Sequence, residues 1–216
     1  MQFVWDTRAI NTVPLLSLTE LSARIKDGPT GKGPLVIGDT TDNPGGGGYG
    51  DGVRLLEAII ATGTPNAASA GAGARISISL GAKVDPGSYG PPIGTEATVL
   101  ALSETGAFVC DGPMWANMEV RLGRSALLDI SGVKVVIASS NLQVTDQQAL
   151  KLFGLDPAAL DVIAVKSSHH FRAAFQPVAR DVVLVDSGCL VSQDYASFNY
   201  RHLRRPIWPI DPEAGK

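Results

Sequence analysis

The chain has 216 residues, of which 44% are hydrophobic and 18% are charged, and its formal net charge is −3. This length and composition suit one folded domain with a buried core. The small negative charge argues against binding to nucleic acid or to anionic membranes, and no stretch approaches the roughly 20 apolar residues that span a bilayer.

The first part of the chain predicts a helix, a strand and a second helix. Ser17-Leu18-Thr19-Glu20 has the pattern of a capping box, and Asp27-Gly28 is expected to end the helix that it starts. The apolar run 34–39 predicts a buried strand, and the periodic apolar residues at 53–61 predict a helix. A glycine-rich loop, residues 41–48, lies between that strand and that helix.

The middle of the chain predicts antiparallel strands. Apolar and polar residues alternate from Ala74 to Leu80, which is typical of a half-exposed strand. Ser131-Gly132 is typical of a two-residue hairpin turn. The predicted strands cover residues 74–80, 95–103, 107–110, 125–130 and 133–139.

The last third predicts two helices and two strands. Thr145 is expected to cap a helix that Gly154 ends. A helix at 170–179 is predicted between strands at 161–166 and 181–186. From these elements we expect an α/β fold with a mixed parallel/antiparallel sheet and flanking helices. It would form a single domain over residues 1–216, in which 1–16 and 190–216 are extended peripheral segments.

The glycine loop is the first candidate site. Glycine tolerates positive φ and lets a ligand approach backbone N–H groups, and the following helix start adds partial positive charge. Such a loop can hold a phosphate, a carboxylate or an oxyanion. Asp42 and Asp51 add negative charge there: Asp42 can orient a base or a water, and Asp51 can cap the helix. The alternative interpretation is a tight strand-to-helix turn. No P-loop or dinucleotide fingerprint is present.

The second candidate site, Lys166-Ser167-Ser168-His169-His170-Phe171-Arg172, follows a predicted strand. Ligands gather at such strand ends in α/β sheets. Lys166, one histidine and Arg172 could form an anion or carboxylate clamp. Alternatively, one histidine caps the helix and Arg172 pairs with a surface acid.

Metal-site patterns are missing from the sequence. The chain has three histidines and two cysteines, without a His-Glu-x-x-His or Cys-x-x-Cys pattern, so we expect no metal site within it. Cys110 and Cys189 are expected to be free, buried thiols. The first residues lack a signal-peptide pattern, and we expect a cytoplasmic location.

Several motifs together resemble a known family. Asp42-Asn43-Pro44-Gly45-Gly46-Gly47 followed by Gly50-Asp51-Gly52 looks like the DNPGGG…GDG signature of the C-terminal domain of microcystinase C (MlrC-type) metallopeptidases. Further segments agree in order. They are Gly112-Pro113-Met114 with Leu122-Gly123-Arg124, Val165-Lys166-Ser167 with His170-Phe171-Arg172-Ala173-Ala174-Phe175, and Tyr200-Arg201 with Leu203-Arg204-Arg205-Pro206-Ile207-Trp208-Pro209.

The resemblance implies zinc-dependent hydrolysis of peptide bonds in small peptides such as linearised microcystin. In that family the zinc ligands belong to a larger N-terminal domain, which these residues do not include. The chain is therefore expected to hold no cofactor, to use zinc only if a separate N-terminal domain completes it, and to be inactive alone. The implied substrate-binding residues are Asp42, Asn43, Gly45, Gly46, Gly47, Asp51, Lys166, Ser167, His170 and Arg172.

Two departures from an intact enzyme keep alternatives open. The chain could be a non-catalytic anion- or peptide-binding module, or an oligomeric remnant of a truncated gene. The family has a longer stretch where residues 62–73 form a short linker here, which would leave a sheet edge uncovered. The expected partners are thus a separate zinc-bearing chain and a second copy of this chain, with no nucleic acid and no membrane.

Overall fold

The fold consists of a parallel sheet, an antiparallel sheet and a small hairpin. The computed structural model describes residues 13–28, 30–63 and 73–214. The α/β class and the mixture of parallel and antiparallel strands are confirmed, but the two kinds of strand lie in separate sheets. The expectations for residues 1–12 and for most of the 62–73 linker lie outside the described residues.

The parallel sheet has the order β1–β10–β2–β9. Its strands are β1 (Leu16–Ser17), β2 (Leu35–Asp39), β9 (Val162–Val165) and β10 (Asp181–Asp186). Every residue of β2 is buried, as expected for a central strand covered on both faces. Gly38 is in register with Val165, and Asp39 with Val185. The carboxyl ends of β2, β9 and β10 therefore meet at one edge.

The antiparallel sheet has the order β3–β4–β7–β8. Its strands are β3 (Arg75–Leu80), β4 (Ile93–Ser103), β7 (Ser125–Ile130) and β8 (Val133–Ala138). The predicted hairpin is confirmed: β7 pairs with β8, and Ser131 and Gly132 both have positive φ, 52° and 89°. The separate hairpin pairs β5 (Ala107–Val109) with β6 (Glu119–Arg121).

The helices are short, apart from the two that cover one face of the parallel sheet. They are α1 (Leu18–Lys26), α2 (Arg54–Ala61), α3 (Pro86–Tyr89), α4 (Gln148–Lys151) and α5 (Arg172–Phe175), with 3₁₀ turns at Pro44–Gly46, Pro157–Ala159 and Tyr195–Ser197. The capping box of α1 is confirmed, because the Ser17 Oγ accepts from the Glu20 N–H and the Glu20 carboxylate accepts from the Ser17 N–H. Within the described ranges, no helix is both long and apolar enough to cross a membrane.

Two predicted helices are shorter in the structure. The helix expected from Thr145 onward is only α4, because the Asp146 Oδ1 accepts from the Gln148 N–H (2.9 Å) and starts the helical turn later. The helix expected at 170–179 is only α5, and Pro177 lacks the N–H that would continue its ladder.

The helix α2 packs against both large sheets. Its Leu55 and Ile59 belong to the core between the parallel sheet and α1. Its Leu56 and Ile60, with Val53 before it, pack against the antiparallel sheet. The opposite face of the parallel sheet is covered by a core that contains Phe171 and Phe175. The glycine loop leads directly into α2, so both cores fix the end of that loop.

Candidate functional site at the carboxyl edge of the parallel sheet

Buried polar side chains gather where the parallel strands end. Asp39, Thr41 and Asp42 follow or end β2, Ser167 follows β9, and Ser187 follows β10, and each has at most 3% of its surface exposed. Polar groups are buried when they bind one another. This edge is also where open α/β sheets hold their ligands.

The glycine loop is wrapped around the carboxylate of Asp42. The Asp42 Oδ1 accepts from the Gly50 N–H (2.8 Å), and its Oδ2 accepts from the Gly52 N–H (2.7 Å). The Lys166 ammonium forms an ion pair with the same Oδ2 and also donates to the Gly52 carbonyl (2.7 Å). An internal carboxylate therefore occupies backbone donors that the sequence suggested for an external anion.

The remaining glycine N–H groups of the loop also bind internally. The Gly45 N–H donates to Asn43 Oδ1 (3.0 Å), and the N–H groups of Gly46 and Gly48 donate to the Asn43 carbonyl (3.0 and 2.9 Å). The Gly47 N–H donates to the Pro44 carbonyl (3.1 Å). Gly47 has φ 94°, a conformation that side-chain-bearing residues rarely adopt. Gly45, Gly46 and Gly47 form the exposed tip of the loop.

Asp39 forms a second buried carboxylate beside Lys166. Both Asp39 oxygens accept from the Ser187 hydroxyl (2.9 Å each), and its Oδ1 accepts from the Thr41 hydroxyl (3.1 Å). The Lys166 Nζ lies 3.9 Å from Asp39 Oδ2. Burial raises the pKa of Asp39, and the Lys166 charge and the Ser187 hydrogen bond only partly offset this effect.

Asp51 and Arg172 contact other groups than the sequence suggested. The Asp51 Oδ2 accepts from the Lys83 N–H (2.5 Å) and the Val84 N–H (3.0 Å), which ties the glycine loop to the segment after β3. Asp51 thus caps no helix. The Arg172 guanidinium carbon lies 5.9 Å from the centre of the Phe171 ring, within the range of a cation–π contact.

His170 connects to the glycine loop through a residue that the sequence did not single out. The His170 Nδ1 lies 3.0 Å from Gln143 Oε1, and the Gln143 Nε2 donates to the Ser167 hydroxyl (2.8 Å). The Asn43 Nδ2 donates to the Ser168 hydroxyl (2.9 Å). The second candidate segment is therefore in contact with the first, while Lys166, His170 and Arg172 bind separate partners.

Sequence reasoning missed Asp39, Ser187 and Gln143. Asp39 ends one apolar strand run and Ser187 directly follows another, so polar residues at strand ends are the signal that could have found them. Gln143 lies in a loop without a recognisable motif. Cys110 and Cys189 are free and buried, as predicted, and burial raises the pKa of both thiols.

The edge residues do not fit a zinc ion by themselves. Among the residues that the structure describes, no group of three or more His, Cys, Asp or Glu side chains is placed to hold a metal. Asp39 and Asp42 instead accept hydrogen bonds from Ser187, Lys166 and backbone N–H groups.

The fold and the site define an α/β domain in which a glycine loop, whose N–H groups bind acceptors within the loop, lies at the end of a parallel sheet. The family model described as MlrC C-terminus matches residues 37–202. The chain belongs to this family, which confirms the resemblance seen in the sequence.

Two known proteins extend this comparison. Microcystinase C of Sphingomonas sp. is 28% identical over 193 residues, which cover 83% of this chain and 36% of that protein. The crystal structure of a proposed metallopeptidase from Mesorhizobium sp. BNC1 superposes with a TM-score of 0.76 at 22% identity, over 97% of this chain and 44% of that one. The chain thus spans less than half the length of either protein.

Proposed function

We propose that this chain is the substrate-binding or structural C-terminal domain of a zinc-dependent metallopeptidase that hydrolyses small peptides. The carrying observation is the location of the family match: residues 37–202 contain the whole carboxyl-edge assembly, from Asp39 to Ser187. The acids of this assembly bind Lys166 and backbone donors. Zinc would then come from ligands on a separate chain, and this chain would be inactive without it.

The exposed part of the assembly supplies the proposed substrate contacts. The tip Gly45–Gly47 is exposed, His170 is exposed beside it, and Lys166 keeps 31% of its side chain accessible. Buried Asp42, ion-paired with half-buried Lys166, holds the end of the glycine loop through the Gly50 and Gly52 N–H groups. We infer that a small peptide lies across this tip, with Arg172 as a further member of the site and the buried Asn43 and Ser167 as residues that support it.

A reconstitution experiment tests this proposal. The chain is mixed with the part of Microcystinase C that lies outside the matched region, with zinc and a small linear peptide as substrate. Hydrolysis is expected only when both chains and zinc are present. Peptidase activity of this chain alone, or stoichiometric zinc bound to it in elemental analysis, would contradict the proposal.

A non-catalytic anion- or peptide-binding module is the second candidate. The ammonium group of Lys166, which contacts the glycine loop, favours it. In this case the isolated chain binds small peptides by calorimetry, and Arg172→Ala weakens binding severalfold. The exposed Arg124→Ala is a matched control, since its side chain is 84% exposed and makes only a 3.9 Å contact to Glu104. Unchanged binding in Arg172→Ala would count against the module.

A second copy of the chain is the proposed oligomeric partner. Strand β3 lies at one end of the antiparallel sheet, and no other described strand pairs with its outer side. Two such edges can join into one continuous sheet. Light scattering is expected to show a dimer that becomes monomeric when Ser77 and Ser79 are both replaced by Lys. A monomeric parent chain would rule this partner out.

A further inference from the structure

Gln143 joins the two candidate segments through its side-chain amide. It is half-buried in the loop that follows β8. Its Oε1 lies 3.0 Å from His170 Nδ1, and its Nε2 lies 2.8 Å from the hydroxyl of Ser167, which is fully buried. Both ends of the amide are therefore engaged.

The glycine loop leaves the amide little freedom to move. A Cβ atom on Gly45 would lie 2.5 Å from Gln143 Oε1 and 2.9 Å from its Cδ. The amide thus packs directly against the backbone of the loop tip. Two residues before Gln143, the Asn141 Nδ2 donates to the Gly48 carbonyl (3.3 Å). This hydrogen bond also joins the loop after β8 to the glycine loop.

The position of the amide oxygen determines where the His170 ring carries its proton. An amide oxygen can only accept a hydrogen bond, so the ring nitrogen facing it is the donor. A neutral His170 then carries hydrogen on Nδ1 and a lone pair on Nε2. No described residue forms a hydrogen bond with Nε2, and the His170 side chain is exposed.

We propose that Gln143 is a positioning residue that holds His170 as the Nδ1–H tautomer, so that the Nε2 lone pair accepts a hydrogen bond from an N–H group of the substrate. The identity of that ligand as a peptide rests on the function proposed above. A neutral ring with a lone pair repels a carboxylate oxygen and attracts an N–H donor. His170 thus recognises the amide or amino group of a peptide, and the carboxylate clamp suggested by the sequence does not include it.

The tautomer is measured by ¹⁵N NMR of the histidine rings at alkaline pH, where imidazoles are neutral. The His170→Gln variant identifies the signals of His170 among the three histidines. The parent chain is expected to show protonated Nδ1 and unprotonated Nε2. Gln143→Met is expected to shift the population towards the Nε2–H form, and Gln143→Glu, which keeps an acceptor at the same place, is expected to restore Nδ1–H.

Glycine variants provide a steric test with a matched control. Gly45→Ala is expected to displace the amide and lose the Nδ1–H pattern, whereas Gly94→Ala has no atom within 4 Å of the new Cβ and is expected to keep it. An Nε2–H pattern in the parent chain, or an unchanged pattern in Gln143→Met, would overturn the assignment. Unfolded variants are recognised from their amide spectra. In that case Gln143→Glu is compared with the parent chain, and both are expected to show the Nδ1–H form of His170.

The ligand is tested with two simple probes. Glycinamide, an N–H donor, is expected to shift the Nε2 signal of His170 at high concentration, and acetate is expected to leave it unchanged. A response to acetate alone would overturn the donor preference. These measurements need neither zinc nor a second chain, so a failed reconstitution would reject the proposed peptidase and leave the Gln143 assignment intact.

Discussion

The two sheets treat polar side chains in opposite ways. The parallel sheet buries Asp39, Thr41, Asp42, Ser167 and Ser187 at its carboxyl edge, all of them hydrogen-bonded. The antiparallel sheet buries one hydroxyl, that of Ser125, which has no partner within the described part of the chain. When both faces of a sheet are covered by apolar side chains, polar side chains can be placed only where its strands end. The candidate site therefore lies at the carboxyl edge of the parallel sheet, and the antiparallel sheet packs beside it through α2.

Among the substitutions that test this difference between the sheets, Asp42→Ala is expected to have the largest effect on stability. The substitution leaves the N–H groups of half-buried Gly50 and buried Gly52 without their acceptor and Lys166 without its closest partner. We expect the free energy of unfolding to fall by about 3–5 kcal/mol, measured by urea denaturation. Glu104→Ala, at a side chain that is 89% exposed, is the control and is expected to have almost no effect. A similar loss in both variants would contradict a special role for Asp42.

A pair of glycine substitutions compares the two sheets at the backbone. A Cβ on Gly38, in β2, would lie 2.6 Å from the Phe171 ring and 2.7 Å from the Ser167 carbonyl. We expect Gly38→Ala to cost about 1–3 kcal/mol in thermal unfolding. Gly94→Ala, in β4, meets nothing within 4 Å and is expected to be neutral or slightly stabilising. Equal effects would show that both strands are packed equally tightly.

The pH dependence of stability tests the buried acid of the parallel sheet. Because burial raises the pKa of Asp39, the folded protein binds a proton more tightly there than the unfolded chain does. This contribution to stability is present at low pH and is lost as the pH rises through the raised pKa. Asn cannot ionise, so the stability of the parent chain relative to Asp39→Asn is expected to decline as the pH rises through the raised pKa. A difference that rises with pH would show that Lys166 and Ser187 outweigh burial.

The smallest effect is expected on the exposed hairpin. Arg121 and Glu119 form a surface pair whose side chains are 63% and 53% exposed. Such pairs contribute less than about 1 kcal/mol because water and salt screen them. Arg121→Ala is expected to leave the urea midpoint nearly unchanged. A large shift would mean that the hairpin β5–β6 shares in the cooperative core.

The sequence predicted the elements whose signals are local. The capping box Ser17–Glu20, the turn Ser131–Gly132 and the apolar strand runs each depend on neighbouring residues, and the structure confirms them. The helix expected from Thr145 is shorter than predicted because Asp146 accepts hydrogen bonds both from Gln148, two residues later, and from Gly112, 34 residues earlier. A distant contact of this kind has no local signature.

The candidate site was predictable in composition but not in connectivity. Both polar segments were found in the sequence, since each follows a strand. The contacts between them were not predicted, because Asp42 and Lys166 are 124 positions apart in the sequence and Gln143 and Ser167 are 24 positions apart. The sequence suggested an empty cradle for an anion, and only the fold shows that Asp42 sits in it.

The packing of α2 determines which pieces of this chain can exist on their own. Leu55 and Ile59 complete one core, while Val53, Leu56 and Ile60 complete the other. A chain cut on either side of this helix would separate β1 and β2 from β9 and β10, so it would divide the parallel sheet and leave apolar surface bare, which favours aggregation. A graft of the glycine loop into another protein would therefore have to carry α2 and both sheets with it.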